Sequence, residues 1–287
     1  MTDDRTQSPS PDCLAGIARA IELIGQDDFL PALTQLCLKA SGYDNAFVAA
    51  YFPDHPPVEL FDNLGAAEEA NTITPYLDFA YLLDPFYTLY QRGIGDNVIR
   101  LRDCAPDDFL SSEYYQAFYA GTGLYDEAGV FVAFEGGASI ILSLGSRVQG
   151  AQMNDAQYAA LTALLPCVAA LCRRHWPRLD PGSLAGSGRI GLHLEKSFER
   201  FGRSVLSDRE AEIVRLILKG HSSKSIAREL GNSPETVKVH RKRIHTKLGI
   251  ASQGELFSMF LDALSRTPPN AQDDPLSYLA NDNHHAP

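Results

Sequence analysis

The sequence predicts two folded units of different class: an α+β domain at residues 12–176 and an all-α, four-helix domain at residues 201–266, joined by a linker at residues 177–200. Three observations predict it. Between residues 177 and 191, Pro177, Pro181, Gly182, Ser183, Gly186, Ser187, Gly188 and Gly191 crowd a stretch without periodicity, as interdomain connections do. Upstream of it apolar residues recur with both the helical period and the strand period, whereas downstream only the helical period occurs, bounded by cap residues. Charge divides the same way: the chain carries a formal −11, yet residues 201–248 hold eleven Lys and Arg against five acids. A basic module on an acidic body is where a polyanion binds.

The upstream elements follow from these periods in order. Leu14, Ile17, Ile21 and Ile24, then Phe29, Leu33 and Leu36, predict two opening helices, the second capped by Asp27 or Asp28. Ala46 to Phe52 and Val58 to Phe61, separated by Pro53, Asp54, Pro56 and Pro57, predict a hairpin. Residues 66–90 read as helical with a break at Pro85, followed by a loop-rich span and a helix near residues 112–119. Tyr125 to Phe134 and Ser139 to Arg147 flank Glu135-Gly136-Gly137-Ala138 as a second hairpin, and Asn154 caps a long closing helix. Helices on an antiparallel sheet describe a sensor layout that resembles GAF or PAS domains.

Length and composition narrow the function classes. The 287 residues exceed what one core usually organises. No apolar run approaches the roughly 20 residues that span a bilayer, and residues 1–11 lack the basic and apolar regions of a secretory signal, so a cytoplasmic protein without membrane insertion is expected. Residues 1–11 read as a disordered lead and residues 267–287 as a disordered tail. Cys13, Cys37, Cys104, Cys167 and Cys172 form neither a CxxC pair nor a zinc spacing; reduced thiols are expected, with Cys167 and Cys172 as a redox alternative. No G-x-S-x-G, P-loop, H-E-x-x-H or dinucleotide fingerprint occurs, so no catalytic residues, metal or cofactor are expected.

The basic module carries its own construction marks. Ser207-Asp208-Arg209-Glu210 is a capping box opening a helix that stops at Lys219-Gly220. Ser222 or Ser223 caps a short second helix that ends at Gly231, and Ser233-Pro234-Glu235 opens a third. The turn between the last two is about three residues, as a helix-turn-helix requires. On the third helix Val237, Ile244 and Leu248 define a buried side, leaving Glu235, Lys238, Val239 and Lys242 opposite. Lysine donates to guanine O6 and N7 and a valine methyl meets a thymine methyl, so Lys238, Val239 and Lys242 are expected to read base edges of double-stranded DNA. Thr236, Arg241, Arg243, Lys224 and Lys247 are placed for phosphate contacts.

Leu206-Ser207-Asp208-Arg209-Glu210, Gly220, Lys224-Ser225-Ile226-Ala227, Ser233 through His240 and Lys247-Leu248-Gly249 together resemble the LuxR/FixJ-type DNA-binding domain over about 60 residues. The resemblance implies a four-helix module that binds DNA as a homodimer, its fourth helix supporting dimerisation through Leu256, Phe257, Met259 and Phe260. It departs at Gln253 and Gly254, near where the family often has a basic residue.

What the first domain senses is less sharply written. The strand-first pattern and acid pair of a phosphorylated receiver are missing. Tyr81, Asp84-Pro85 and Gly123-Leu124 weakly resemble the acyl-homoserine-lactone receptors, in which an Asp receives the ligand amide, but the sole tryptophan, Trp176, ends the last helix. Tyrosines crowd two segments, and buried phenols need partners, so a pocket of convergent hydroxyls is expected for a small-molecule effector. The expected lining is Tyr81, Asp84, Phe86, Tyr87, Tyr114, Tyr115 and Tyr125, with Asp84 equally readable as a helix cap. The effector is expected to be a polar metabolite; an acyl-homoserine lactone, or a first domain that only dimerises, are the alternatives.

Overall fold

A computed structural model describes residues 10–64, 73–182, 184, 189–268 and 271–279; the expectations for residues 1–9, 65–72 and 280–287 lie outside that set. Helix α1 (Pro11–Glu22) opens on the Ser10 side chain, which accepts from the Cys13 amide, and α2 (Phe29–Ser41) ends at Gly42 with φ of 72°. Asp28 stands at the α2 cap without using its side chain.

Both expected hairpins form. Strands β1 (Asn45–Phe52), β2 (His55–Asp62), β3 (Asn97–Arg100), β4 (Asp126–Ala133) and β5 (Ser139–Ser146) make one antiparallel sheet in the order β2-β1-β5-β4-β3. Strand β3 was not foreseen, because four residues are too few for a period to register in a loop-rich span. Helix α3 (residues 73–78) leads through a 3₁₀ turn to α4 (Pro85–Gln91), so Pro85 is the first residue of a new helix rather than a break within one. Helices α5 (Leu101–Cys104) and α6 (Glu113–Ala117) follow, and α7 (Asp155–His175) closes the domain behind a full Asn154–Gln157 capping box.

Side chains alternate across the sheet and separate two cores. Val48, Ala50, Val130, Val132, Ile140, Leu142 and Leu144 face α1, α2 and α7, meeting Leu33, Leu36, Leu161, Leu164 and Val168. Helix α7 has the length and hydropathy of a membrane span, yet it buries this stripe on the sheet. The opposite face carries Ala49, Tyr51, Phe131 and Ile141, covered by Tyr81, Leu82, Leu83 and Phe86.

Beyond residue 188 the chain is helical: α8 (Arg189–Arg200), α9 (Asp208–Leu218), α10 (Ser223–Glu229), α11 (Pro234–Leu248) and α12 (Gln253–Arg266). The stretch read as linker therefore contains a helix, and Phe198 and Phe201 at its end pack edge-on to Phe260 of α12 at 5.4 and 5.3 Å. Within the stretch read as a disordered tail, residues 271–279 are ordered. Asp274 accepts from the amides of Gly202 (2.9 Å) and Ser204 (2.7 Å), and a 3₁₀ turn at Pro275–Tyr278 follows. A buried carboxylate satisfying two otherwise unpaired amides anchors that segment, a role its Pro- and Asp-rich composition does not advertise.

The helical unit docks on the first domain. Phe118 meets Phe257, the Tyr87 hydroxyl donates to Glu195 (2.6 Å), Lys219 to Thr88 (3.2 Å), and Arg92 pairs with Glu229 (2.6 Å). The second sheet face and the helical unit thus share one continuous apolar cluster.

Candidate effector pocket and nucleic-acid interface

The sheet face turned towards α4 and α6 loses bulk at one end. Strand β4 presents Glu127, Gly129 and Phe131 there, and β5 presents Gly145, Ser143 and Ile141, with Glu127 opposite Gly145 and Gly129 opposite Ser143. A Cβ on Gly129 would come within 2.9 Å of the Phe131 ring, and one on Gly145 within 2.7 Å of Leu124, so neither position takes a larger residue without movement. Beside Glu127 and Ser143 lies a cavity of about 240 Å³ walled by Phe47, Ile73, Ala80, Phe118 and Leu124. Its polar lining includes the hydroxyls of Tyr76, Tyr114, Tyr119 and Ser143, the acids Asp84 and Glu127, and the cation Arg147. A larger groove beside Trp176 and Arg173 lies away from these side chains.

Two carboxylates converge on this cavity from different elements. Asp84 is the N-cap of α4: Oδ1 accepts from the Phe86 amide (2.8 Å) and Oδ2 from the Tyr76 hydroxyl (2.6 Å), itself 2.7 Å from the Tyr51 hydroxyl. The two readings of Asp84, cap and pocket acid, are both satisfied by one side chain. Glu127 accepts from the Tyr119 hydroxyl at 2.9 Å. Burial pushes the Asp84 carboxyl up to about 6, against the opposing pull of its hydrogen bonds. Burial, reinforced by the charge of Asp84, pushes Glu127 up to about 8. The Tyr114 phenol, pushed well up by burial and by both acids, has no hydrogen-bond partner among the described residues.

Of the residues expected to line a pocket, Asp84 and Tyr114 do. Tyr81, Phe86 and Tyr87 lie buried one layer behind: Tyr81 meets Tyr87 edge-on at 4.9 Å, Phe86 meets Phe131 at 5.8 Å, and the Tyr87 hydroxyl leaves for α8. Tyr115 stacks on Tyr119 at 5.3 Å without reaching the cavity, and Tyr125 is 56% exposed on the surface. Tyr76 and Tyr119 belong to the two tyrosine-rich segments read as pocket-forming but not to the expected lining, and sequence reasoning passed over Glu127 and Ser143. The signal for Glu127 was present: counting by twos from Phe131 puts an acid on the inward face of a strand that otherwise reads apolar. Trp176 lies on the far side of the sheet, 5.8 Å from the Phe29 ring. Cys172 is buried and Cys167 exposed on α7, so the structure gives them different surroundings.

At the other end of the molecule the three expected caps all form: Ser207 accepts from Glu210, Ser222 from Ser225 and Ser233 from Thr236. Val237 and Ile244 anchor α11 in the core, while Lys238, Val239 and Lys242 stand exposed on its outer side with Thr236 and Arg243. Lys224 is exposed on α10. Arg241 and Lys247 are held by the protein itself. Arg241 donates to Gln253 (3.0 Å) and Ser223 (3.4 Å), and Lys247 pairs with Glu210 (2.6 Å) of the α9 capping box. Leu256, Phe257 and Phe260 of α12, which the family resemblance assigns to dimerisation, are buried within the chain.

Comparison with known proteins agrees with this geometry. Residues 204–260 match the family described as bacterial regulatory proteins, luxR family. An HTH-type transcriptional regulator from the exeN 3′ region of Aeromonas salmonicida is 30% identical over 190 residues, covering 64% of this chain and 96% of the relative. The transcriptional regulatory protein TdiR of Thauera aromatica is 51% identical over 53 residues, 18% of this chain and 23% of that protein, so the match is confined to a short segment. Among solved structures, the VqsR LBD domain of Pseudomonas aeruginosa superposes with a TM-score of 0.52 at 26% identity, covering 60% of this chain and all of that one. A helix-turn-helix with an exposed basic face, carried beside an α+β sensor domain, defines a DNA-binding transcription regulator. The chain belongs to the LuxR family of bacterial regulatory proteins.

Proposed function

We propose that this regulator is a cytoplasmic one-component switch: a small polar effector occupies the cavity beside Asp84 and Glu127, and the protein binds a pseudo-palindromic DNA site as a homodimer. One observation carries the reading. The elements that line the cavity are the elements that hold the DNA-binding unit. Helix α4 offers Asp84 to the cavity and Tyr87, Thr88 and Arg92 (the last at its C-cap) to α8, α9 and α10. Helix α6 offers Tyr114, with Phe118 just beyond it against Phe257 of α12. An effector that moves either helix changes the docking of the other unit, and the coupling is reciprocal, so DNA changes effector affinity by the same factor. The single sheet with helices on both faces supports the GAF/PAS-like reading of the sensor. Dimerisation through the exposed face of α7, where Ala159, Ala163, Pro166 and Ala170 carry no charge, suits a helix with one side already committed to the sheet. Asp84 and Glu127 in the cavity wall support a ligand with a polar group, beside the apolar wall of Phe47, Ile73, Phe118 and Leu124.

The recognition face is tested by selecting binding sites from a random duplex library with the full-length protein. Replacing Lys238 and Lys242 by Ala leaves the thermal midpoint within about 2 °C, removes the selected consensus and flattens the salt dependence of the residual binding. An unchanged consensus refutes the assignment.

A further inference from the structure

We infer that Asp84 and Glu127 work as one acid pair that keeps a proton on Glu127, and that filling the cavity they line is coupled to holding that proton, so effector affinity falls as pH rises. The inference rests on the effector-pocket reading above and adds a mode of regulation to it. Asp84 is 8% and Glu127 9% exposed, on different elements, and both line the same cavity. Asp126, the preceding residue on β4, is buried on the other side of the strand, where Arg102 stands 3.7 Å away and the Tyr43 hydroxyl and Met153 amide donate to it. Asp84 and Glu127 have no such cation. Their contacts are hydroxyls and one amide, and the charges that act on Glu127 are those of Asp84 and Asp126. Arg147 lines the cavity as well, yet among the described residues it forms no ion pair with either acid.

Two carboxyls in one buried cavity resist ionising together, because burial raises the cost of each charge and each charge raises the cost of the other. Their donors are unequal. Asp84 takes a backbone amide (2.8 Å) and the Tyr76 hydroxyl (2.6 Å), whereas Glu127 takes hydroxyls only, from Tyr119 at 2.9 Å and from Ser143. Asp84 therefore ionises first, at about 6, and Glu127 holds its proton to about 8. The neighbouring groups stay silent over that range. Burial holds the phenols of Tyr51, Tyr76, Tyr114 and Tyr119 and the thiol of Cys104 well above their ordinary values, and a guanidinium such as that of Arg147 keeps its charge. An uncharged ligand that enters displaces water, which the fully ionised pair needs more than the half-protonated pair does. The occupied protein then keeps the Glu127 proton to higher pH than the empty one, and by reciprocity losing that proton to solvent weakens the ligand by the same factor. The limit is about ten-fold per pH unit above the Glu127 midpoint. A cationic ligand would give the opposite sign, because it favours the ionised pair.

The test uses the full-length protein and two probes that carry no charge between pH 6 and pH 9, 1-octanoyl-glycerol and tyrosol. Infrared titration without a probe is expected to show a protonated-carboxyl band that disappears near pH 8 in the wild type and is missing in Glu127→Gln. Asp84→Asn, which keeps a side chain able to cap α4, is expected to lower the midpoint of that band, since the neighbouring charge is gone. Isothermal titration is expected to show at least one probe weakening by about five-fold or more from pH 7 to pH 9, and Glu127→Gln to flatten that slope. A carboxyl band already lost at pH 6, or a midpoint that Asp84→Asn leaves in place, overturns the acid pair. Probe affinity that is flat across the range, or that rises with pH, overturns the coupling while the effector pocket stands. If neither probe binds at any pH, the coupling falls together with the pocket reading.

Discussion

Glu127 shows what one side chain carries when strand alternation turns an acid inward. Its ordinary value of 4.5 rises to about 8 in the folded protein, first through burial and then through the charge of Asp84. Between those values the folded state holds a proton that the unfolded chain has lost, so stability is greatest below about 4.5 and declines as pH rises through about 8. Asp84, raised to about 6, acts in the same direction over a narrower window. One such group contributes a slope of ~1.4 kcal/mol per pH unit while it is protonated in one state only. The melting midpoint of the wild type is therefore expected to fall from pH 5 to pH 8 more steeply than that of Glu127→Gln. Parallel curves for the two proteins would show that Glu127 is ionised in the folded state. Arg241 and Lys247 show the converse limit of reading charges one at a time, since each is already engaged by a partner on another helix.

At the scale of elements, the caps decide where helices begin and the tertiary neighbours decide what each end is for. Ser207 and Glu210 exchange bonds across the first turn of α9, and Lys247 of α11 adds its ammonium to the same Glu210 oxygen. One carboxylate thus fastens the start of the first helix of the DNA-binding unit to the end of the recognition helix. Ser207→Ala is expected to cost about 1 kcal/mol, as N-cap removals do. Glu210→Ala is expected to cost more, because it also strands Lys247 and the Ser207 amide. Urea unfolding followed by circular dichroism separates the two, and equal losses would mean that the α9 to α11 tie adds nothing. Asp84 repeats the pattern in the sensor domain, capping α4 with one oxygen while the other meets Tyr76 in the pocket wall.

At the scale of the whole molecule, the DNA-binding unit rests on the sensor through side chains that the regulator needs elsewhere. Asp107 accepts from the Ser222 amide (3.2 Å) and hydroxyl (2.6 Å) at the start of α10, close to Lys224 and to the Ser223 that holds Arg241. An acid at that edge opposes an approaching phosphate backbone. Phe257 of α12, packed on Phe118, is covered in this arrangement. Asp107→Ala combined with Arg92→Ala, which removes the Glu229 pair, is expected to loosen the docking. Amide exchange in α10 and α12 would then rise several-fold, and DNA affinity at low salt would increase. Unchanged exchange would show that the apolar contacts alone hold the two units together.

The legible part of this protein is the part written within a turn or two of chain. Capping boxes at Ser207 and Asn154, the Ser233-Pro234 start of the recognition helix, two hairpins and the basic module could be read from residues at most a few positions apart. Each depends on local hydrogen bonds and a repeating period. The identity of Lys238, Val239 and Lys242 as an exposed face follows from the same arithmetic. The pocket could not be read that way. Asp84, Tyr114 and Glu127 come from a helix cap, a short helix and a strand, and only closure of the sheet over α4 and α6 brings them to one cavity. The same holds for Asp274 under Gly202 and for α8 under α12, where segments that look like linker and tail are ordered by partners about 60 to 70 residues away in sequence. Local propensity determined the elements and the exposed basic face of α11, whereas packing at long range decided which acids are buried, which cations are spent on the protein itself, and how the sensor holds its DNA-binding unit.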